Sequence, residues 1–228
     1  MLISGTRLAK LAGGIFGGSC FLCRGTAREL LCADCEAELP WLGAEVCPRC
    51  ALASPAGAPC GACLAEPPPF DATVAALWYR FPADVLVQAL KFRGELALAG
   101  YFAGVLKRRI AGLQADCVVP VPLSAARLRA RGYNHAAEIA RRLDRGRVEL
   151  ELCERTRDTR AQIELPFAER QRNVRGAFAV RRALAGATVA VVDDVMTTGA
   201  TLGEIARALK GAGAARVVNW VLARTPRA

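Results

Sequence analysis

The chain has 228 residues, a formal net charge of +10, 53% hydrophobic residues and a mean hydropathy of +0.23. That length suits one large domain, or a small one with a medium one, and the apolar content is enough for a packed core. No run reaches the ~18 uninterrupted apolar residues that a membrane-spanning helix needs, which speaks against a spanning segment.

In chain order, Met1 to Leu22 carries Arg7 and Lys10 ahead of a Gly-rich apolar run, faintly like a signal peptide. It lacks a small-residue cleavage site and runs into Cys20-x-x-Cys23, which marks structure rather than a discarded leader, so a cytoplasmic protein is expected. Eight of the ten cysteines then fall between Cys20 and Cys63 as four Cys-x-x-Cys pairs: Cys20/Cys23, Cys32/Cys35, Cys47/Cys50 and Cys60/Cys63. Two intervening residues let both thiolates of a pair point at one ion, and two pairs complete a tetrahedral site. Four pairs therefore predict two structural Zn²⁺ sites. A disulfide framework would need an export signal, and a thioredoxin-like redox motif needs one pair rather than four. Iron–sulfur ligation is the other alternative, but a regular series of paired knuckles suits zinc better. Sequential pairing, first with second and third with fourth, is preferred to an interleaved cross-brace because short loops close more easily. Segments as poor in core formers as Ala51 to Pro59 leave much of the folding free energy to the metal. Cys117 and Cys153 stand alone and read as small buried hydrophobes.

Glu66-Pro67-Pro68-Pro69-Phe70 reads as a stiff connector. It divides a zinc module, residues 1–66, from a second domain, residues 67–228. There, Thr73 to Tyr79 predicts a strand. Pro82 to Phe92 and Glu95 to Arg109 carry apolar residues at helical spacing. Cys117 to Pro122 is a short apolar strand running into a rigid turn, and Asn134 is a good N-cap for a helix through Leu143. Val148 to Leu152 is a candidate strand, Arg155 to Gln162 a mobile loop and Pro166 to Asn173 a short helix. Thr188 to Val192 predicts a buried strand ending in Asp193-Asp194, Thr201 to Lys210 a helix, and Arg216 to Leu222 a final strand. Strands alternating with helices predict an α/β domain whose mostly parallel sheet is flanked by helices.

Fifteen arginines lie between Arg127 and Arg182, against eight acidic residues. An anionic partner (nucleic acid, phosphate or pyrophosphate) would account for this. So would a solvated basic face in a chain that prefers arginine, since only four of its 31 basic residues are lysines.

The segment from Val189 to Leu202 carries the chemistry. A buried strand delivers two adjacent acids to the edge of the sheet, where α/β proteins bind ligands. Thr197, Thr198, Gly199 and Thr201 follow at the mouth of a helix. Gly199 lets the backbone turn tightly, so that N–H groups, threonine hydroxyls and the helix terminus can surround an anion. Acids this close to a phosphate would repel it unless they face hydroxyls or a metal. A ribose 5-phosphate satisfies both halves, with its phosphate in the cradle and its hydroxyls on Asp193 and Asp194.

The run Val191-Val192-Asp193-Asp194-Val195-Met196-Thr197-Thr198-Gly199-Ala200-Thr201 resembles the phosphoribosyl-pyrophosphate motif of type I phosphoribosyltransferases, with Met196 where many members carry a smaller or polar residue. Pro120-Val121-Pro122-Leu123, followed by Arg127, Arg131, Gly132, Tyr133 and Asn134, is similar to the equivalent stretch of the ComF family of competence proteins. So are Leu90-Lys91-Phe92-Arg93-Gly94, the spaced set Arg157, Gln162, Arg170, Asn173 and Gly176 to Phe178, and the double zinc ribbon ahead of the transferase-like domain.

The resemblance implies a type I phosphoribosyltransferase fold. Its ligand would be phosphoribosyl pyrophosphate or a similar sugar phosphate, with Mg²⁺ neutralising the leaving pyrophosphate. Val195 to Thr201 would bind the phosphate. Pro122, Leu123, Arg127, Arg131, Tyr133 and Asn134 would line the pyrophosphate side. Arg157, Arg160 and Gln162 would belong to a closing loop. Asp193 and Asp194 would stabilise positive charge on the ribose during transfer. No nucleobase pocket is identifiable, and turnover does not follow from the motif. His135 reads better as a capping-region or site-wall residue than as a general base. Family members are associated with uptake of single-stranded DNA in natural transformation. Two readings stay open: an enzyme transferring a phosphoribosyl group to an unknown acceptor, and a DNA-uptake factor whose cradle binds its ligand without turnover. Trp41, Trp78 and Tyr133 could stack on single strands, but they lie scattered, as core aromatics do. A zinc module that docks a competence helicase is a third reading, which no residue tests.

Overall fold

The computed structural model describes residues 18–157 and 173–227. The chain divides into two compact units, Met1–Leu39 and Pro40–Ala228. The expected closing-loop residues Arg160 and Gln162, Arg170, and the expected helix at Pro166 to Asn173 (Asn173 excepted) lie outside the described residues, as does most of the leader-like start.

In the first unit, β1 (Gly18–Ser19) and β2 (Thr26–Ala27) form an antiparallel ribbon followed by α1 (Ala33–Ala37). The turn between the strands closes through Cys20 N–H donating to the Gly25 carbonyl at 2.7 Å, with Arg24 in the left-handed region.

The second unit opens with a second cysteine knuckle. It is shaped by the bridge between Val46 and Ala53 and ends in α2 (Gly61–Ala65). Then come β3 (Ala72–Trp78), α3 (Ala83–Phe92), α4 (Ala97–Arg109), β4 (Cys117–Pro120), α5 (Ala125–Arg131), α6 (His135–Leu143), β5 (Cys153–Arg155), β6 (Phe178–Val180), β7 (Thr188–Met196), α7 (Ala200–Gly211) and β8 (Arg216–Arg224). The central sheet has the order β3-β8-β7-β4, and every pairing in it is parallel. Successive residues of a strand face opposite ways, yet Val189, Ala190, Val191 and Val192 are all fully buried, so both faces of β7 are covered. Helix α4 packs on β3 and β8, α6 on β4 and β7, and α7 on β7, β8 and the small β5–β6 hairpin.

The edge strand β3 is itself covered by the knuckle segment. Leu42 N–H donates to Ala76 O at 2.9 Å, Thr73 N–H to Pro48 O at 2.9 Å, and Trp78 N–H to Pro40 O at 2.7 Å. Unpaired edge groups find partners in this way. The second cysteine quartet is thus built onto the sheet.

Three elements differ from the sequence reading. Val148 makes one parallel bridge to Val118, and the expected strand at Val148 to Leu152 gives way to β5 at Cys153. The basic run from Arg127 forms α5, capped by Ser124, whose hydroxyl accepts from Arg127 N–H. Strand β7 continues through both acids to Met196, because β8 stays alongside it and pairs Asp193 with Val221 and Met196 with Arg224.

Candidate functional site

Sulfur geometry tests the two metal centres. Cys20, Cys23, Cys32 and Cys35 form one quartet and Cys47, Cys50, Cys60 and Cys63 the other, the sequential pairing, with all sulfurs of a set within 4.8 Å of each other. A Zn–S bond of ~2.3 Å in a tetrahedron puts sulfurs about 3.8 Å apart. Cys23 and Cys32 are 3.7 Å apart, and Cys50 and Cys60 are 3.6 Å apart. All ten cysteines are free of disulfides. Both quartets therefore fit zinc. Cys117 and Cys153 are buried away from them, and burial pushes their thiols up to about 11 and about 12.

The second feature lies at the carboxyl ends of β4 and β7. The two acids end β7 close together, with a carboxylate oxygen of each and a ring nitrogen of His135 all within 4.8 Å of one another, but they differ in burial and in partners. Asp194 is 2% exposed. Its Oδ2 meets Lys91 Nζ at 2.5 Å, and its Oδ1 accepts from Val195 N–H at 2.7 Å and lies 3.5 Å from His135 Nε2. Burial alone would push this carboxyl up; the Lys91 ammonium and His135 outweigh it and hold it well below the usual carboxylate range. Asp193 is only half-buried, and its Oδ1 accepts from Asp194 N–H at 2.9 Å. Burial and the neighbouring Asp194 charge push its carboxyl up. Of the pair, Asp194 is engaged on both oxygens, and Asp193 is the more exposed.

His135 opens α6, where Asn134 caps by accepting from Ala136 and Ala137 N–H groups. Arg131 NH1 lies 2.8 Å from His135 Nδ1. A guanidinium only donates, so Nδ1 accepts, the proton sits on Nε2, and it faces Asp194. His135 thus joins Arg131 to Asp194. Asn134 also donates to Val121 O at 3.0 Å, fastening the turn that carries Pro122 and Leu123. The Tyr133 hydroxyl donates to Leu90 O, which holds the end of α3 and hence Lys91. Arg131 stacks over Phe92 at 5.0 Å. Arg131 thus reaches Asp194 through His135, while Tyr133 and Asn134 fasten the end of α3 and the turn after β4. Arg127 sits on α5, half-buried, and Arg157 is exposed, donating to Arg175 O.

Beyond β7 the chain turns at Thr197 to Gly199 into α7. Gly199 has φ +81, the left-handed region that favours glycine, and a Cβ there would also press on the flexible end of Met196 at 2.7 Å. Met196 is buried in the core and also lines the cavity beside the turn. Thr198 Oγ1 accepts from Ala200 N–H at 3.2 Å, capping the helix from within the turn. Val195 and Thr201 are half-buried. Thr198, Gly199 and Ala200 also border a cavity of about 680 Å³ shared with Cys50, Cys63 and Phe70.

Two residues of the site escaped the sequence reading. Lys91 sits in a segment quoted only for its family likeness, although a lysine in so arginine-rich a chain was itself a signal. Arg224 ends an apolar strand and is 4% exposed. Its Nε donates to Cys50 O at 2.7 Å and its NH1 to Met196 O at 2.9 Å, to Thr197 O and to Thr225 O at 3.0 Å.

The chain is similar in sequence to known proteins. Residues 11–64 match the Double zinc ribbon domain family and residues 113–228 the Phosphoribosyl transferase domain family. The chain is 35% identical over 222 residues to DNA utilization protein YhgH of Escherichia coli K12, covering 91% of this chain and 97% of that protein. It is 31% identical over 227 residues to Competence protein F of Haemophilus influenzae, covering 92% and 98%. Competence protein ComFC of Streptococcus pneumoniae is 26% identical over 208 residues, covering 85% and 87%.

Proposed function

Because the chain belongs to the ComF family, with a double zinc ribbon ahead of a phosphoribosyl transferase domain, we propose that it binds phosphoribosyl pyrophosphate or a related 5-phosphate and serves the handling of incoming DNA. The observation that carries this is the turn after β7. Asp193 offers a carboxylate to hydroxyls, and the glycine-turned helix start beside it offers N–H groups to a phosphate.

In this reading the phosphate sits against Thr197 to Thr201, and the turn at Pro122 and Leu123, with Arg127 and Arg131 near it, faces the pyrophosphate. Asp193 accepts from the ribose hydroxyls. Asp194 keeps its charge beneath the sugar but makes its contacts to Lys91 and His135. When bound with its ligand, Mg²⁺ would neutralise the pyrophosphate, and Asp193 is the side chain placed to share it. If transfer occurs, the C1–oxygen bond to pyrophosphate breaks as the acceptor bonds to C1. The fixed negative charge of Asp194 then stabilises the positive charge on the ring. By function the chain divides into a zinc module, residues 1–66, and a transferase-like domain, residues 67–228, whereas its compact units divide between Leu39 and Pro40. Ten unbridged cysteines suit the reducing cytoplasm, where we place the protein. No helix among the described residues is long and apolar enough to cross a membrane.

Calorimetric titration of phosphoribosyl pyrophosphate into zinc-loaded protein, with and without Mg²⁺, tests the reading. Mg²⁺-dependent binding that Asp193→Asn weakens by an order of magnitude or more is the expected result. No binding by the folded wild type would overturn it. Single-stranded DNA in the same cell separates direct DNA binding from sugar-phosphate binding, since only the former falls steeply with salt.

A further inference from the structure

Arg224 is a buried cation that donates to four carbonyl oxygens and meets the Cys50 side chain, and no carboxylate pairs with it among the described residues. A buried charge without a counter-charge is costly. The negative charge nearest its bonds is the second cysteine quartet, because Nε is bonded to the carbonyl of Cys50, one of the four sulfur donors. Four thiolates on Zn²⁺ leave two net negative charges, which would balance Arg224 and the arginines beside it.

The other end of the same guanidinium holds the phosphate turn. NH1 draws the carbonyls of Met196 and Thr197 towards itself. In a planar trans peptide, C=O and the following N–H point in opposite directions. The N–H groups of Thr197 and Thr198 are thereby turned away from Arg224. Neither has a backbone acceptor among the described residues. They are two free donors in adjacent peptides, the arrangement that receives an anion.

We propose that the second zinc centre and Arg224 act as one positioning device, setting the peptide planes of Met196 to Thr198 so that their N–H groups face the phosphate, and that the first zinc centre takes no part. This rests on the reading of the turn as a phosphate site. The two quartets then have different duties despite their equal spacing. Zinc at Cys47, Cys50, Cys60 and Cys63 tunes ligand affinity, and by reciprocity a bound phosphate holds that zinc more tightly.

Full-length zinc-loaded protein tests this with two readouts. The first is hydrogen exchange in the segment Met196 to Thr201. Arg224→Met should speed it about tenfold, a coupling of ordinary size, while Cys20→Ser/Cys23→Ser should leave it unchanged. Arg224→Lys separates charge from geometry: it keeps zinc at the second centre but loses the ordered turn. Unchanged exchange in Arg224→Met, or an equal change in the first-centre variant, overturns the proposal. The second readout is zinc release to a chelator. Phosphoribosyl pyrophosphate should slow one of the two zinc ions in the wild type and neither in Arg224→Met. Release of both at ligand-independent rates, by protein shown calorimetrically to bind the compound, also overturns it. If the wild type binds no phosphoribosyl pyrophosphate, the sugar-phosphate reading falls, and hydrogen exchange still decides whether Arg224 orders the turn.

Discussion

Lys91→Met tests how the site keeps a charged acid almost out of water. The ion pair to Asp194 is 2.5 Å long, with side chains 22% and 3% exposed. Removing one partner of a buried pair costs about 3–5 kcal/mol, because the other charge is left in a poor solvent. Val195 N–H and His135 still serve Oδ1, which argues for the lower end, about 3 kcal/mol. For a chain of this size that lowers Tm by about 6–12 °C. Asp194→Asn added to Lys91→Met removes the stranded charge and should recover at least half of the loss, a direct measure of coupling.

The dependence on pH carries a sign. Asp194 sits well below the usual carboxylate range in the folded wild type. Its contribution is therefore complete above about pH 4, the unfolded value, and is lost as pH falls through the depressed folded value. In Lys91→Met, burial is no longer outweighed and the carboxyl rises. The variant should regain stability relative to wild type as pH falls through that raised value, because Asp194 then buries as a neutral acid. Urea unfolding in zinc-saturated buffer at four pH values measures this. A Lys91→Met within 1 kcal/mol of wild type throughout, unimproved by Asp194→Asn, would refute the argument.

Three further outcomes follow from named contacts. Gly199→Ala combines a left-handed φ with a Cβ 2.7 Å from Met196 Cε; it should cost about 1–3 kcal/mol and weaken phosphoribosyl pyrophosphate binding in calorimetry. Asn134→Ala removes the α6 cap and the bond to Val121 O, a loss of about 1–2 kcal/mol seen as a lower Tm. Iodoacetamide at pH 8 should leave Cys117 and Cys153 unmodified in native protein, since burial keeps both thiols protonated, and mass spectrometry should find them alkylated only after unfolding.

Local pattern determined a good deal of this protein. Cys-x-x-Cys spacing announced two four-sulfur sites, because two ligands on one turn must share an ion. The apolar run at Thr188 to Val192 announced a doubly covered strand, and Asn134 announced a helix start, because each is settled within a few residues of chain. Gly199 was readable for the same reason. What pairs residues far apart in sequence needed the tertiary structure. Asp193 and Asp194 are equals in the sequence; they become unlike only when α3 brings Lys91 onto Asp194 and the fold buries Asp194 more deeply than its neighbour. The second cysteine quartet looks like the first, yet it lies along the edge of β3, and Cys50 is 174 residues from the Arg224 that joins it to the turn after β7. Spacing carries coordination chemistry because that chemistry is local. Burial and counter-charge are properties of the packed whole, and the roles of Lys91, Asp194 and Arg224 depend on them.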